Sequence, residues 1–219
     1  MKQNSHSEVA LEAIDVEEFV CAYLPERGSR VLEVGCGSGE LARDLAMRGH
    51  EVTAIDPQAP TGPIFRAVSL EEFEGEGRFD AVVANRSLHH IEDLSAALDK
   101  VAHLLSPNGR LILNEFAFDQ MDPKTARWFS ERVDESTEHG YSSDPQKLLG
   151  QWLKEHDGLH DSATLRGRLE ERFRTEVFAW CPYLALYRLG RRELVEEEIG
   201  SIRSNEINPI GFRYVGIPL

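Results

Sequence analysis

RVLEVGCGSG, residues 30–39, sets a short apolar run against three alternating glycines, Gly35, Gly37 and Gly39, with Glu33 just ahead of them. Val31, Leu32 and Val34 suit a strand buried on both faces, and the glycines permit a tight turn where backbone can touch a ligand. A helix over 40–48 is expected to start on that turn. A dinucleotide fingerprint, Gly-x-Gly-x-x-Gly, would place its third glycine at position 40 to admit close packing beside a pyrophosphate. Position 40 is Glu. A carboxylate there meets a diphosphate badly, which counts against a nicotinamide-dependent oxidoreductase and leaves room for a ligand without phosphates.

The next acidic position fits the same reading. Residues 50–57, HEVTAIDP, form a second strand ending in Asp56, about 20 residues after the glycine turn, where an acid can accept both hydroxyls of a ribose. The spacing of Glu33, Gly35, Gly37 and Gly39 resembles motif I of the class I S-adenosylmethionine (SAM)-dependent methyltransferases. That resemblance implies SAM as cofactor and S-adenosylhomocysteine (SAH) as its product. It places Glu33, Gly35, Cys36, Gly37 and Gly39 around the cofactor, with Asp56 and Pro57 at the ribose.

At 219 residues the chain is expected to be one large α/β domain with a sizeable core. A net charge of -14 repels phosphodiester backbones, so nucleic acid is not expected as a partner. Cys21, Cys36 and Cys181 are odd in number and widely spaced, fitting neither a metal site nor a disulfide framework, which suggests a reducing cytoplasm. Cys36 reads as a compact spacer in the turn rather than a nucleophile. No apolar leader and no long apolar run appears, so neither export nor a membrane segment is expected. No metal ligand set stands out.

Along the chain, strands and helices alternate. Val16, Phe19, Val20 and Tyr23 make one helical stripe that Pro25 and Gly28 end. A short strand is expected at 64–68, a fourth at 79–84 and a fifth at 110–116. The helix between the last two buries Leu94, Ala97, Leu98, Val101, Leu104 and Leu105 and stops before the turn Pro107-Asn108-Gly109. Five βα units predict a doubly wound sheet with its ligand at the carboxyl ends of the strands. The resemblance adds a Rossmann-like sheet of seven strands, the last antiparallel.

Residues 117–173 break this rhythm. Trp128, Phe129 and Val133 mark one helix, Leu148, Leu149, Trp152 and Leu153 a second, and Leu165, Leu169 and Phe173 a third. The expected organisation is a SAM-binding core at 8–118, a helical insertion at 119–160 where the resembled family places substrate-covering lids, and a closing segment at 161–219. Strand six is expected at 175–187, a helix at 191–204, and strand seven at 211–217.

Residues 79–93, FDAVVANRSLHHIED, resemble motif IV of the UbiE-like branch of small-molecule methyltransferases. There the strand end flanks the methionine moiety, so Asn85 and Ser87 are candidates to line the sulfonium pocket; Asn85 alternatively caps a turn. The run after strand three, Ala67 to Glu72, departs from the family. Ser69 stands where an acid commonly accepts from the adenine amino group, so adenine would be read by Ser69 and the Leu70 N–H, with ordinary or weak SAM affinity.

Methyl transfer from a sulfonium is an in-line displacement that releases a neutral thioether, so positioning does most of the work. A base helps when the acceptor is a hydroxyl, thiol or protonated amine. Candidates are His89 and His90 at the strand-four end, His139, His156 and His160 in the insertion, and the more distant Glu115 and Tyr183, with His89 preferred. The two His residues alternatively just begin a helix. Trp128 and Trp152 close an apolar pocket or simply form core. The leading reading is SAM-dependent methyl transfer to a small-molecule acceptor; the alternative is a catalytically silent SAM-fold subunit that activates a partner. Acceptor identity and oligomeric state are not encoded in any motif.

Overall fold

The computed structural model describes residues 15–24, 28–75, 78–133 and 140–219. The chain forms α1 (Val16–Tyr23), β1 (Arg30–Val34), α2 (Glu40–Met47), β2 (Glu51–Ile55), β3 (Phe65–Arg66), β4 (Phe79–Asn85), α3 (Leu94–Leu104) and β5 (Leu105–Phe116). It continues through α4 (Pro123–Ser130), α5 (Pro145–Glu155), α6 (Ser162–Glu170), β6 (Phe173–Cys181), α7 (Val195–Arg203) and β7 (Gly211–Pro218). The seven strands lie in the order β3-β2-β1-β4-β5-β7-β6, with strand seven antiparallel, as the resemblance implied.

Two compact units divide the chain. Unit 1 holds the described residues up to Glu115 with Ala163–Ala179 and Arg213–Leu219; unit 2 holds Phe116–Ser162 and Trp180–Phe212. In unit 1, Phe19 and Val20 of α1 and Leu41, Ala42 and Leu45 of α2 pack on one set of strand residues, Val31, Ala81, Val83 and Ile112. The alternate residues Leu32, Val82 and Leu111 are equally buried, as is the α3 stripe from Leu94 to Leu104. Both faces of the strands are therefore dry, which explains the apolar runs Val31-Leu32 in β1 and Ala81 to Ala84 in β4. Each such fully buried Val, Leu or Ile contributes about 1.5–3 kcal/mol relative to exposure.

The parallel register sets the site. Val34 pairs with Ile55 on one side and Ala84 on the other, so β1, β2 and β4 end level. Gly35, Asp56 and Asn85 consequently emerge along one edge, at β1, where the winding direction reverses.

Several boundaries differ from the sequence expectations. The turn at 107–109 does not interrupt β5; it is absorbed as an irregularity in which Leu105 faces Phe79 and Arg110 faces Ala81. Gly109 has no room for a side chain, because a Cβ would sit 2.9 Å from the Phe79 carbonyl. β3 is only two residues long. Val133 lies past the end of α4, and Leu153 of α5 is exposed while Leu148 and Trp152 are buried. Phe173 opens β6 instead of closing α6. Strand six ends at Cys181, not near 187, because Pro182 has no N–H for the ladder and the next three N–H groups bond elsewhere. Pro25 lies outside the described residues.

Candidate active site

The glycine turn is built by steric necessity. Gly35, Gly37 and Gly39 all take positive φ (74°, 50° and 77°), and the N–H groups of Gly35 and Cys36 both reach the Ile55 carbonyl, at 2.8 and 3.1 Å. A Cβ on Gly35 would overlap Ser87, and one on Gly39 would overlap the Phe65 ring, whereas Gly37 has nothing within 4 Å of its Cβ position. Two glycines are thus demanded by the fold, and the third leaves an open face.

Asp56 stands beside that face. Its Oδ2 accepts from the Gly37 N–H at 3.0 Å and its Oδ1 from the Gln58 N–H at 2.8 Å, which fixes the carboxylate at the end of β2. Pro57 is exposed next to it. Glu33 lies under the turn, 2% exposed, with Oε2 lacking any hydrogen-bond partner. Burial pushes its carboxyl up to about 8; the Ala42 N–H opposes this and the Asp56 charge adds to it. Burial, with Glu33 and Asp56, likewise pushes the Cys36 thiol up to about 11, so it is a poor thiolate and fits the spacer reading.

Ser69 forms a local turn with Glu72: its N–H and Oγ approach Glu72 Oε2 at 3.5 and 3.4 Å, and the Glu72 N–H reaches Ser69 Oγ at 3.3 Å. An acid therefore stands beside Ser69 after all, three residues further along. Leu70 is buried.

The end of β4 is tied down on both sides. Asn85 Oδ1 accepts from Asn114 Nδ2 at 2.9 Å, and Ser87 Oγ donates to the Val34 carbonyl at 2.8 Å. Arg86 between them adopts φ 56°, an uncommon conformation for a residue with a Cβ. Beyond this bend the N–H groups of Ser87 and Leu88 donate to Glu115 Oε1 at 3.0 and 2.8 Å. The other oxygen, Oε2, lies 2.7 Å from His89 Nδ1. Glu115 is fully buried and His89 is 5% exposed. A carboxylate can only accept, so His89 carries a proton on Nδ1. Glu115, read from the sequence as one of the more distant candidate bases, lies against His89, a pairing invisible without the parallel pairing of β4 and β5.

His90 packs against His89 with ring centroids 4.2 Å apart and the planes tilted by 41°, and burial followed by the neighbouring imidazole lowers its pKa. The remaining candidates belong to unit 2. His156 and Tyr183 are buried there, His160 is partly exposed, and His139 lies outside the described residues. Trp152 is fully buried, donating from Nε1 to the Phe118 carbonyl at 3.0 Å, and Trp128 is nearly so: both are core. Among the described residues no cluster of His, Cys, Asp and Glu suits a metal, and no helix is long and apolar enough to cross a membrane.

A family model described as a methyltransferase domain matches residues 8–159. A ubiquinone biosynthesis O-methyltransferase of Xanthomonas axonopodis pv. citri is 38% identical over 112 residues, 44% of this chain and 47% of that protein. An uncharacterized methyltransferase of Mycobacterium tuberculosis is 38% identical over 116 residues, 47% of this chain and 58% of that protein. This chain thus spans about half the length of the curated relatives it matches. Among solved structures, an S-adenosylmethionine dependent methyltransferase from Mesorhizobium loti superimposes with a TM-score of 0.58 at 20% identity, covering 90% of this chain and 94% of its own. At that identity the likeness concerns the fold.

Proposed function

Because this chain belongs to the methyltransferase-domain family, we propose that it transfers the methyl group of SAM to a small-molecule acceptor. The observation that carries the proposal is the pairing of the Gly37 N–H with the Asp56 carboxylate beside the one glycine of the turn whose side-chain position is open. The residues fit the cofactor. Asp56 is an immobilised acceptor suited to two vicinal hydroxyls, and Glu40 rather than glycine begins α2, which suits a ligand without a diphosphate. Glu33 Oε2 is a buried polar atom without a hydrogen-bond partner among the described residues, which a polar group of the ligand would satisfy.

When bound, SAM supplies an electrophilic methyl on a sulfonium. Asp56 and the glycine turn hold the adenosyl half, Ser69, Glu72 and Leu70 flank the adenine position, and Asn85 and Ser87 line the methionine side. His89 takes a proton at Nε2 when the acceptor presents a hydroxyl or a protonated nitrogen, and Glu115 stabilises the imidazolium so formed. The small-molecule class is supported by the name of the Xanthomonas relative and by the net charge of -14, which opposes nucleic acid.

Calorimetric titration with SAH tests the reading. The wild type is expected to bind, and Asp56→Ala to bind about 10–100-fold more weakly, the worth of a charge-assisted ribose contact. Absence of binding by the wild type, or undiminished affinity in Asp56→Ala, overturns it.

A further inference from the structure

Unit 2 contains a guanidinium with no counter-charge among the described residues. Arg188 Cζ lies over the rings of Phe116, Trp152 and Tyr183 at 5.2, 5.2 and 5.9 Å. Its Nη2 is 2.8 Å from His156 Nε2, while its Nε is buried without a hydrogen-bond partner. No carboxylate of the described residues lies within ion-pair distance of it. Glu155 accepts from the Tyr141 hydroxyl instead. His156 cannot serve as an anion either. Its Nδ1 sits 2.7 Å from the Trp152 carbonyl, which only accepts, so the ring is the Nδ1–H tautomer and Nε2 merely receives one Arg188 proton.

The support beneath Arg188 is equally specific. Arg188 ends a π turn, Leu184–Arg188, in which the Leu189 N–H reaches the Leu184 carbonyl at 2.9 Å. Such wide turns need a local cause and recur at functional positions. Here the cause is Glu198 of α7, fully buried, whose Oε1 accepts from the Tyr183 and Leu184 N–H groups at 2.8 and 3.0 Å and whose Oε2 accepts from Ala185 at 2.8 Å. One buried carboxylate is spent holding the turn that carries the cation. A Met or Leu would fill the aromatic cluster without an unpartnered N–H, so a space-filling role does not explain the guanidinium.

We propose that Arg188 is the centre of a carboxylate-binding site in unit 2, one that takes a small carboxylate-bearing molecule. Of its five N–H donors one goes to His156, and the planar fork matches a carboxylate through two parallel hydrogen bonds. The cation is only partly exposed and backed by aromatic faces, which strengthens its pull on an anion relative to a surface lysine.

The test uses benzoate and its neutral isostere benzamide, followed by the Arg188 Nε–H resonance in 15N spectra of the full chain. Benzoate is expected to shift that resonance saturably, with benzamide at least tenfold weaker. Arg188→Lys should weaken benzoate binding and Arg188→Met abolish it. Equal responses to the two probes, or no response of the wild-type resonance, overturn the site, and this wild-type measurement holds even if the variants fold poorly. Parallel SAH titration separates the readings: intact SAH binding without a benzoate response removes the anion site alone, whereas loss of SAH binding strikes the methyl-transfer reading.

Discussion

Glu115 holds His89 by a 2.7 Å contact between Oε2 and Nδ1, while its Oε1 takes the N–H groups of Ser87 and Leu88. One carboxylate therefore shapes the loop after β4 and chooses the imidazole tautomer.

Glu115→Gln separates these two roles. The amide oxygen can keep the Ser87 and Leu88 bonds, but its NH2 then faces His89 and forces the proton to Nε2. The fold should survive, 15N spectra should show the Nε2–H tautomer, and turnover should fall about 10²-fold or more at unchanged SAH affinity. An unchanged tautomer would show that Glu115 does not position the ring.

The glycines divide by what a methyl group would meet. Gly35→Ala drives a Cβ into Ser87, so little folded protein is expected. Gly37→Ala meets no protein atom and should cost about 1–2 kcal/mol for its positive φ, measurable by urea titration. SAH affinity should nevertheless drop at least as far as in Asp56→Ala. Normal SAH binding by Gly37→Ala would mean that the open face is not where the cofactor lies.

Glu33 ties stability to pH. Its carboxyl stays protonated in the folded state up to about 8, against an ordinary value of 4.5 in the unfolded chain. The unfolded state therefore releases its proton first, and the stability this group contributes is complete below 4.5 and lost as pH rises to about 8. The loss is on the order of 2–5 kcal/mol. Glu33→Gln cannot ionise, so the difference in melting temperature between variant and wild type should grow in the variant's favour from pH 5 to pH 9. Weaker SAH binding should accompany it. A difference that stays flat with pH refutes the assignment.

Glu198 is the corresponding hold in unit 2. Burial raises its carboxyl pKa, and the Tyr183, Ala185 and Leu184 N–H groups oppose that shift. Glu198→Ala strands three buried N–H groups at about 1–3 kcal/mol each, so the melting temperature should fall by roughly 6 °C or more. A change within 1 °C would show that the turn holds itself.

Some of this was readable early because it is local. Gly35, Gly37 and Gly39 declare themselves through backbone conformations that few other residues accept, and Asp56 follows at the end of the next strand. Asn85 was legible only as a position: its partner Asn114 comes from the neighbouring strand. The end of β6 was misjudged because residues 182–187 remain apolar while Pro182 and Glu198 remove them from the ladder.

What the sequence alone determined is the sheet and its glycine turn, since burial period and φ preference are properties of consecutive residues. Tertiary structure decided which acid serves which partner. Glu115 finds His89 across 26 positions, Glu198 finds Tyr183 across 15, and Arg188 finds His156 across 32. Only folding brings such side chains within hydrogen-bond range in a dry interior, and there an unmatched charge is costly enough to mark where a ligand belongs.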